Sequence, residues 1–444
     1  MALGHQIFSV KLKRKYLVCV IGIATLTYLI ISYLQKKTVE HIEPPTRLVP
    51  EKFIKQVEYN TDFKIMLIKE KIKRFEHRFN KTRSIILNSK PMLKPNYNVH
   101  VFYYAWYNNP EINGEYRHWN HNYLDNWKKY DSRIYPKGSH RPPNDIGSNY
   151  YPLLGCYSST DKDIIETHLK YLRDSGIGVL VISWAPPNYT DSPHEMLATL
   201  FRTALNYEIK IALHVEPYNG RNPVNLLEHL KEFLKLYGNH PALYKIKKPL
   251  GQQMVPLIYI YDSYLIPAAA WKEVFGNKGN LSVRGTWLDA IYIGLLVELQ
   301  HKSHIRKSGF DGFYTYFATN SFTYGSTWKN WPVLTKFALQ NGLIFIPSVG
   351  PGYIDTKVRA WNSANIRHRA NGQYYDVAWG TAINNNALYV SITSFNEWHE
   401  GTQIEPAVAK TVQGYKYLDY EPEGPYYYLN LTRSWIDQFE KSLN

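Results

Sequence analysis

Eight short runs of aliphatic, β-branched and aromatic residues recur from residue 98 onward, with stretches of helical spacing between them. They are 98–105 (NVHVFYYA), 177–184 (IGVLVISW), 209–216 (IKIALHVE), 255–262 (VPLIYIYD), 289–297 (DAIYIGLLV), 311–317 (DGFYTYF), 342–348 (GLIFIPS) and 388–395 (LYVSITSF). Strands buried on both faces read as such continuous apolar runs, and helical segments between them, such as 161–174 and 224–237, call for a parallel sheet. Eight repeats of this unit predict a (β/α)8 TIM barrel rather than an open sheet. No GxGxxG or GxxxxGK[ST] follows any run, which disfavours the nucleotide-binding α/β folds.

In such a barrel the chemistry gathers where the strands end. Polar and aromatic residues collect there: Trp106 and Tyr107, Trp184, His214 with Glu216 and Tyr218, Tyr261 and Asp262, Tyr314 and Tyr316, Ser348, and Asn396 with Glu397. The densest cluster leaves the eighth run as SFNEWHEGTQIE (394–405). If the chain coils there, Glu397 and Glu400, three residues apart, sit side by side. Two carboxyls held close in a partly apolar cleft acquire different proton affinities, as a general acid and a base require. The ordinary alternative is a helix start whose acids favour the dipole. Trp398 and His399 among the acids suit a sugar platform better than a solvated cap.

The motif SFNEWHEGTQIE, together with IPSVGPGYIDT (346–356), GFYTYFATNSFTYGS (312–326), HVEPYNGR (214–221), FYYAWYNNP (102–110) and YRHWNH (116–121), resembles the glycoside hydrolase family 99 endo-α-mannosidases over about residues 97–436. The resemblance implies a metal-independent, cofactor-free retaining hydrolase that cuts an internal α-1,2-mannosidic bond of high-mannose N-glycans. It implies that Glu397 deprotonates the substrate's 2-hydroxyl and that Glu400 protonates the leaving oxygen. This differs from the usual retaining scheme, in which the second carboxylate attacks carbon. By motif position it also places Tyr107, Glu216, Tyr316 and Arg359 around the sugars. Each has a plainer reading: rim packing for the tyrosines, a bridge to Arg221 for Glu216, and support of the 353–362 loop for Arg359. His118 and His121 are read equally as site groups or as buried, hydrogen-bonded histidines, and Trp184 and Trp398 as sugar-facing aromatics. One departure stands out. Ser183-Trp184-Ala185-Pro186-Pro187 replaces the SWYPP of the animal members, which leaves open the choice between glucosylated and plain mannose ends.

The formal charge of +15 suggests nucleic acid until it is located along the chain. Residues 1–94 hold 19 Lys+Arg against 7 Asp+Glu, so the rest carries 33 against 30. A nearly neutral folded part offers no basic face to a phosphate backbone, and no nucleic-acid partner is expected. The uncharged run 16–34 (YLVCVIGIATLTYLIISYL) is long enough to span a bilayer, and Lys11, Lys13, Arg14 and Lys15 precede it. This predicts a cytosolic tail (1–15), a transmembrane anchor (16–34), a partly helical lumenal stem (35–96) and a catalytic barrel (97–444). With the resemblance it implies a single-pass type II protein of the Golgi membrane. Four sequons, at Asn80, Asn188, Asn280 and Asn430, agree with a lumenal orientation. Cys19 and Cys156 predict no intrachain disulfide.

Three other readings compete. Asp161-Lys162-Asp163 imitates the metal-binding DxD of a Golgi glycosyltransferase, although an acid-rich helix start explains it better. Glu397, His399 and Glu400 as metal ligands would make a metallohydrolase, but adjacent ligands from one tight turn seldom enclose a metal without distant partners. A glycan-binding barrel without activity would have no need of both acids.

Overall fold

The computed structural model describes residues 94–126, 135–248, 253–412 and 414–443. The expected tail, anchor and most of the stem, with the Asn80 sequon, lie outside the described residues. Among the described residues no helix is long and apolar enough to cross a membrane. Residues Pro91–Asn444 form one compact unit.

Every apolar run expected as a strand contains one. The strands are β1 (Asn96–Tyr103), β2 (Ile177–Trp184), β3 (Lys210–Val215), β4 (Met254–Ile260), β5 (Ile291–Leu295), β6 (Gly312–Tyr314), β7 (Ile344–Ile346), β8 (Ser348–Val349) and β9 (Val390–Ile392). All neighbours in the ring pair in parallel, in the order β8, β9, β1, β2, β3, β4, β5, β6, β7. β7 and β8 are one run interrupted by Pro347, which has no N–H to donate. Ile344 pairs with Gly312 on one side of the break and Ser348 with Ser391 on the other. The chain itself therefore bridges the gap, and nine segments occupy eight positions of a near-closed barrel that fits the (β/α)8 pattern.

A helix follows each position: α1 (Lys162–Asp174), α2 (His194–Asn206), α3 (Pro223–Tyr237), α4 (Ala268–Phe275), α5 (His301–Ser308), α6 (Trp331–Asn341), α7 (Gln373–Asn384) and α8 (Tyr427–Leu443). Asp161 caps α1, its carboxylate accepting from the Asp163 N–H at 2.9 Å. That contact explains Asp161-Lys162-Asp163 as a helix start. In the same helix Ile165, Leu169 and Leu172 repeat at helical spacing and are buried against the barrel. Asn222 opens α3 with a capping box shared with Asn225.

Alternation along the strands divides the two faces. On β1, Val99 and Val101 are buried, and Tyr103 turns outward to hydrogen-bond His168 of α1. His100 and Phe102 turn inward. Phe102 meets His214, Tyr259 and Tyr314 from three other strands, with ring centroids 4.6, 5.5 and 5.6 Å away. His100 bonds the Tyr259 hydroxyl at 2.5 Å. The barrel interior is thus filled by aromatic rings whose polar atoms find one another, a hydrogen-bonded packing that resists slippage of register. One layer higher, the same alternation delivers Tyr104, Glu216, Tyr261 and Tyr316 to the rim.

Candidate active site

A cavity of about 290 Å³ opens at the C-terminal rim. Its walls include Tyr104, Trp106, His118, His121, His214, Glu216, Tyr261, Tyr316, Arg359, Glu397, His399 and Glu400. They come from at least five strand ends, so the barrel, rather than any single loop, holds the site.

The two acids leave the loop after β9. Ser394 closes that loop: its Oγ accepts from the Glu397 N–H at 2.8 Å and lies 2.9 Å from Thr402 Oγ1. The Ser394 N–H donates to the Thr402 carbonyl at 2.9 Å. Inside the closed loop a single 3-10 turn, Trp398–Glu400, begins at Glu397, whose Oε1 accepts from the His399 N–H at 3.1 Å. Gly401 ends the turn at φ +60°, and a Cβ there would stand 2.7 Å from the Ile354 carbonyl. The close approach is used: the Ile354 N–H donates to the Glu400 carbonyl at 2.8 Å. A glycine is therefore required both for the left-handed backbone and for the docking of the 353–355 segment.

Burial raises the proton affinity of both acids, and the charge of Glu400 adds to the rise at Glu397. Glu397 is almost wholly buried, and its carboxyl is pushed well above the usual range by that burial first and by Glu400 second. Burial also pushes Glu400 up to about 7, opposed by Arg359 and reinforced by Asp355. The two are close enough to titrate as a unit, so the pair retains a proton near neutral pH. Arg359 opposes the rise at both acids.

Of the other residues expected at the site, Glu216, Tyr316, Arg359 and His118 line the cavity. Glu216 accepts from the Ser183 hydroxyl at 2.8 Å and lies 3.1 Å from His214 Nδ1. The expected bridge to Arg221 is not its arrangement, because Arg221 donates instead to the carbonyls of Val215, Tyr261 and Asp262. Tyr316 shares a short hydroxyl contact with Tyr104. Arg359 both faces the cavity and supports its own loop through Asp355, 3.2 Å away. His118 stacks on Trp106 with centroids 4.6 Å apart, and its Nε2 lies 2.9 Å from Asp191.

Tyr107, Trp184 and Trp398, placed by the sequence among the sugar contacts, are not in the wall of this cavity. Tyr107 lies beneath the acid-bearing turn: its hydroxyl donates to the Asn396 carbonyl at 3.0 Å and accepts from the Trp398 N–H at 3.2 Å. Trp184 ends β2 on the outward side, edge-on to Phe233 of α3. Trp398 is fully buried and points away from the cavity towards Glu405. Tyr104 and Val358 were missed as wall residues, while His121 was read equally as a buried histidine and His399 only as part of the acid cluster. Inward alternation after His100 and Phe102 is the signal that identifies Tyr104; the placement of the others depends on loop geometry.

Among the described residues four cavity-wall atoms are buried without a hydrogen-bond partner, of which His214 Nδ1 lies 3.1 Å from Glu216 and the other three, Trp106 Nε1, His118 Nδ1 and His399 Nε2, have no such neighbour. His399 bonds the Gly147 carbonyl through Nδ1 at 2.8 Å, and burial lowers its proton affinity well below the ordinary value. That bond makes Nδ1 the donor and leaves Nε2 a free acceptor. In its neutral form His118 donates from Nε2 to Asp191, which leaves Nδ1 an acceptor as well. One donor and two acceptors thus face a space that hydroxyl groups would satisfy. No three His, Cys, Asp or Glu side chains among the described residues are placed to hold a metal ion. Cys156 lies outside the cavity wall, and burial pushes its thiol up to about 11, unlike an activated nucleophile.

The profile of glycosyl hydrolase family 99 matches residues 94–441. The chain belongs to glycosyl hydrolase family 99. The glycoprotein endo-alpha-1,2-mannosidase of Rattus norvegicus is 48% identical over 363 residues, covering 81% of this chain and 78% of that protein. The glycoprotein endo-alpha-1,2-mannosidase-like protein of Homo sapiens is 46% identical over 347 residues, covering 77% and 76%. The family 99 endo-alpha-mannosidase structure from Bacteroides thetaiotaomicron superposes with a TM-score of 0.73 at 41% identity, covering 79% of this chain and 99% of that one. This family 99 protein is a glycoside hydrolase.

Proposed function

We propose that this chain is a retaining endo-α-1,2-mannosidase that cuts an internal mannosidic bond of high-mannose N-glycans, with Glu397 and Glu400 as its working acids. The observation that carries the reading is the pairing of these two carboxyls, both held towards protonation, in one cavity whose wall also offers unpaired hydroxyl-binding atoms. The names of the rat, human and bacterial relatives support the substrate class.

In the first step Glu397 takes the proton of the sugar's 2-hydroxyl, O2 attacks C1, the C1–O bond to the leaving sugar breaks, and Glu400 gives its proton to the departing oxygen. The product is a 1,2-anhydro sugar. Glu400 then takes a proton from water, the resulting hydroxide attacks C1, the C1–O2 bond opens, and Glu397 returns a proton to O2. Two inversions give net retention. The step needs the shared proton on Glu400. A 2-hydroxyl donating to Glu397 stabilises that carboxylate and transfers the proton preference to its neighbour. Tyr316, Glu216, Arg359 and His118 hold the sugars.

The uncharged run 16–34 and the basic residues before it support a single-pass type II protein of the Golgi membrane with a lumenal catalytic barrel. Asn188, Asn280 and Asn430 are exposed, as acceptors of N-glycans must be.

The test is an α-1,2-linked oligomannoside, incubated with chelator-treated protein, with the anomer of the first-formed product read by NMR. Cleavage within the chain with retained configuration is expected. An inverted product, or no cleavage without a nucleotide-sugar donor and divalent metal, overturns the reading.

A further inference from the structure

Glu405 lies behind the acid-bearing turn and is fully buried. Its Oε2 accepts from the Tyr157 hydroxyl at 2.8 Å and from the Trp398 indole N–H at 3.0 Å. Its Oε1 lies 3.2 Å from His168 Nε2, and His168 Nδ1 lies 3.0 Å from the Tyr103 hydroxyl. With the Tyr103 hydroxyl donating to Nδ1, Nε2 carries the proton and donates to Glu405, so the carboxylate receives three directed donors from three separate segments. The Glu405 N–H is itself tied to the Phe395 carbonyl at 2.9 Å.

A buried carboxylate costs far more than an apolar side chain in the same space, so its position calls for a reason. That reason is what it holds. Trp398 opens the one-turn helix between Glu397 and Glu400, and its indole is the only side chain of that turn directed into the protein interior towards Glu405 among the described contacts. Asn396, just before the acids, is tied to the same group, donating to the Tyr157 hydroxyl at 3.2 Å. Rotation of the indole would rotate the turn, and with it the directions in which both acids leave the backbone. An apolar residue at 405 would fill the volume but set no angle.

We infer that Glu405, oriented by His168 and Tyr157, is a positioning residue that fixes the geometry of Glu397 and Glu400 through the Trp398 indole. The inference rests on the reading that Glu397 and Glu400 perform the chemistry. It places the precision of the site in a polar network on the far side of the turn, out of reach of substrate.

The experiment compares Glu405→Leu, Glu405→Gln and Tyr157→Phe with the parent in the full chain, alongside Glu397→Gln and Glu400→Gln. For each, kcat and KM on an α-1,2-linked oligomannoside are measured with the folded fraction from near-UV circular dichroism. Misplacement of reacting groups by about 1 Å costs on the order of 10²-fold, so Glu405→Leu is expected to lower kcat by that order while KM stays within about 2-fold. Glu405→Gln should stay within about 5-fold of the parent, because its amide oxygen still accepts from Trp398 and Tyr157 and its NH2 faces His168 in the opposite tautomer. Tyr157→Phe, which removes one donor without opening a large cavity, should lower kcat several-fold at unchanged KM. A folded Glu405→Leu protein with parental kcat, or one whose loss vanishes on correction for folded fraction, overturns the inference. If the Leu variant does not fold, parental kcat in Tyr157→Phe overturns it. Turnover surviving in Glu397→Gln and Glu400→Gln would instead defeat the reading of the acids; dead acid variants beside a normal Glu405→Leu defeat the positioning role alone.

Discussion

Arg359 Nη1 lies 3.9 Å from Glu400 Oε1 while remaining 3.2 Å from Asp355 Oδ2. At that separation the guanidinium biases the proton on Glu400 without neutralising it in a close ion pair, and Asp355 keeps it from moving nearer. The charge of Arg359 is itself reinforced by Glu400, Tyr353 and Asp355 against its own burial. Ionisation at the rim is thus set by a triad in which the central group is held from behind.

Replacing Arg359 with Gln removes the influence that lowers the Glu400 proton affinity. On the proposed role of Glu400 as the acid that protonates the leaving oxygen, the alkaline limb of the kcat profile should move to higher pH than in the parent, where it is expected near 7. An unmoved limb argues against Glu400 as the acid.

Glu397→Gln and Glu400→Gln should each reduce kcat by about 10²–10⁴-fold, the usual contribution of a general acid or base. Substrate affinity should survive, since the shape of the cavity is kept. Isothermal titration with an unreacted oligomannoside separates the two quantities, and turnover within a few-fold of the parent contradicts the assignment.

The raised proton affinity of Glu400 also carries a stability signature. The folded protein binds more protons than the unfolded chain between the ordinary carboxyl value and about 7, so stability falls as pH rises through that window. Gln mimics the protonated acid and escapes this loss. Glu400→Gln should therefore melt close to the parent at pH 4.5 and above it, by on the order of a few degrees, at pH 8. Equal melting temperatures at both pH values would contradict a raised Glu400 in the folded state.

Gly401→Ala should destabilise the protein by about 2 kcal/mol, because it strains a left-handed residue and drives a Cβ towards the Ile354 carbonyl. Activity should fall further than stability alone accounts for, since the segment bearing Asp355 and Arg359 docks on that turn. Chemical denaturation and kcat measured on the same preparation test both halves.

The barrel was legible because strand burial writes itself into the chain as apolar runs, and all eight expected runs contain a strand. The meeting of Glu397 and Glu400 in one cavity was legible because the two stand three residues apart just after the last strand. The direction of their neighbours was not. Motif position placed Tyr107 at the ligand, and Trp398 was placed there as an aromatic among the acids. Their polar atoms are instead spent on Asn396, Glu405 and Tyr157. The inward period of two ends with β1, so it reaches Tyr104 but says nothing of Trp106 or His118, whose positions follow from a long connection between β1 and α1. His118 itself has φ +64°, a loop conformation that no strand or helix pattern predicts.

The free ring nitrogens of His118 and His399 and the indole N–H of Trp106 bear on which analogues the protein would tolerate. Deoxygenated sugars that cannot reach these atoms would strand them dry, so discrimination against such analogues should exceed what lost contact area explains, by the margin of an orphaned polar group rather than of a missing atom.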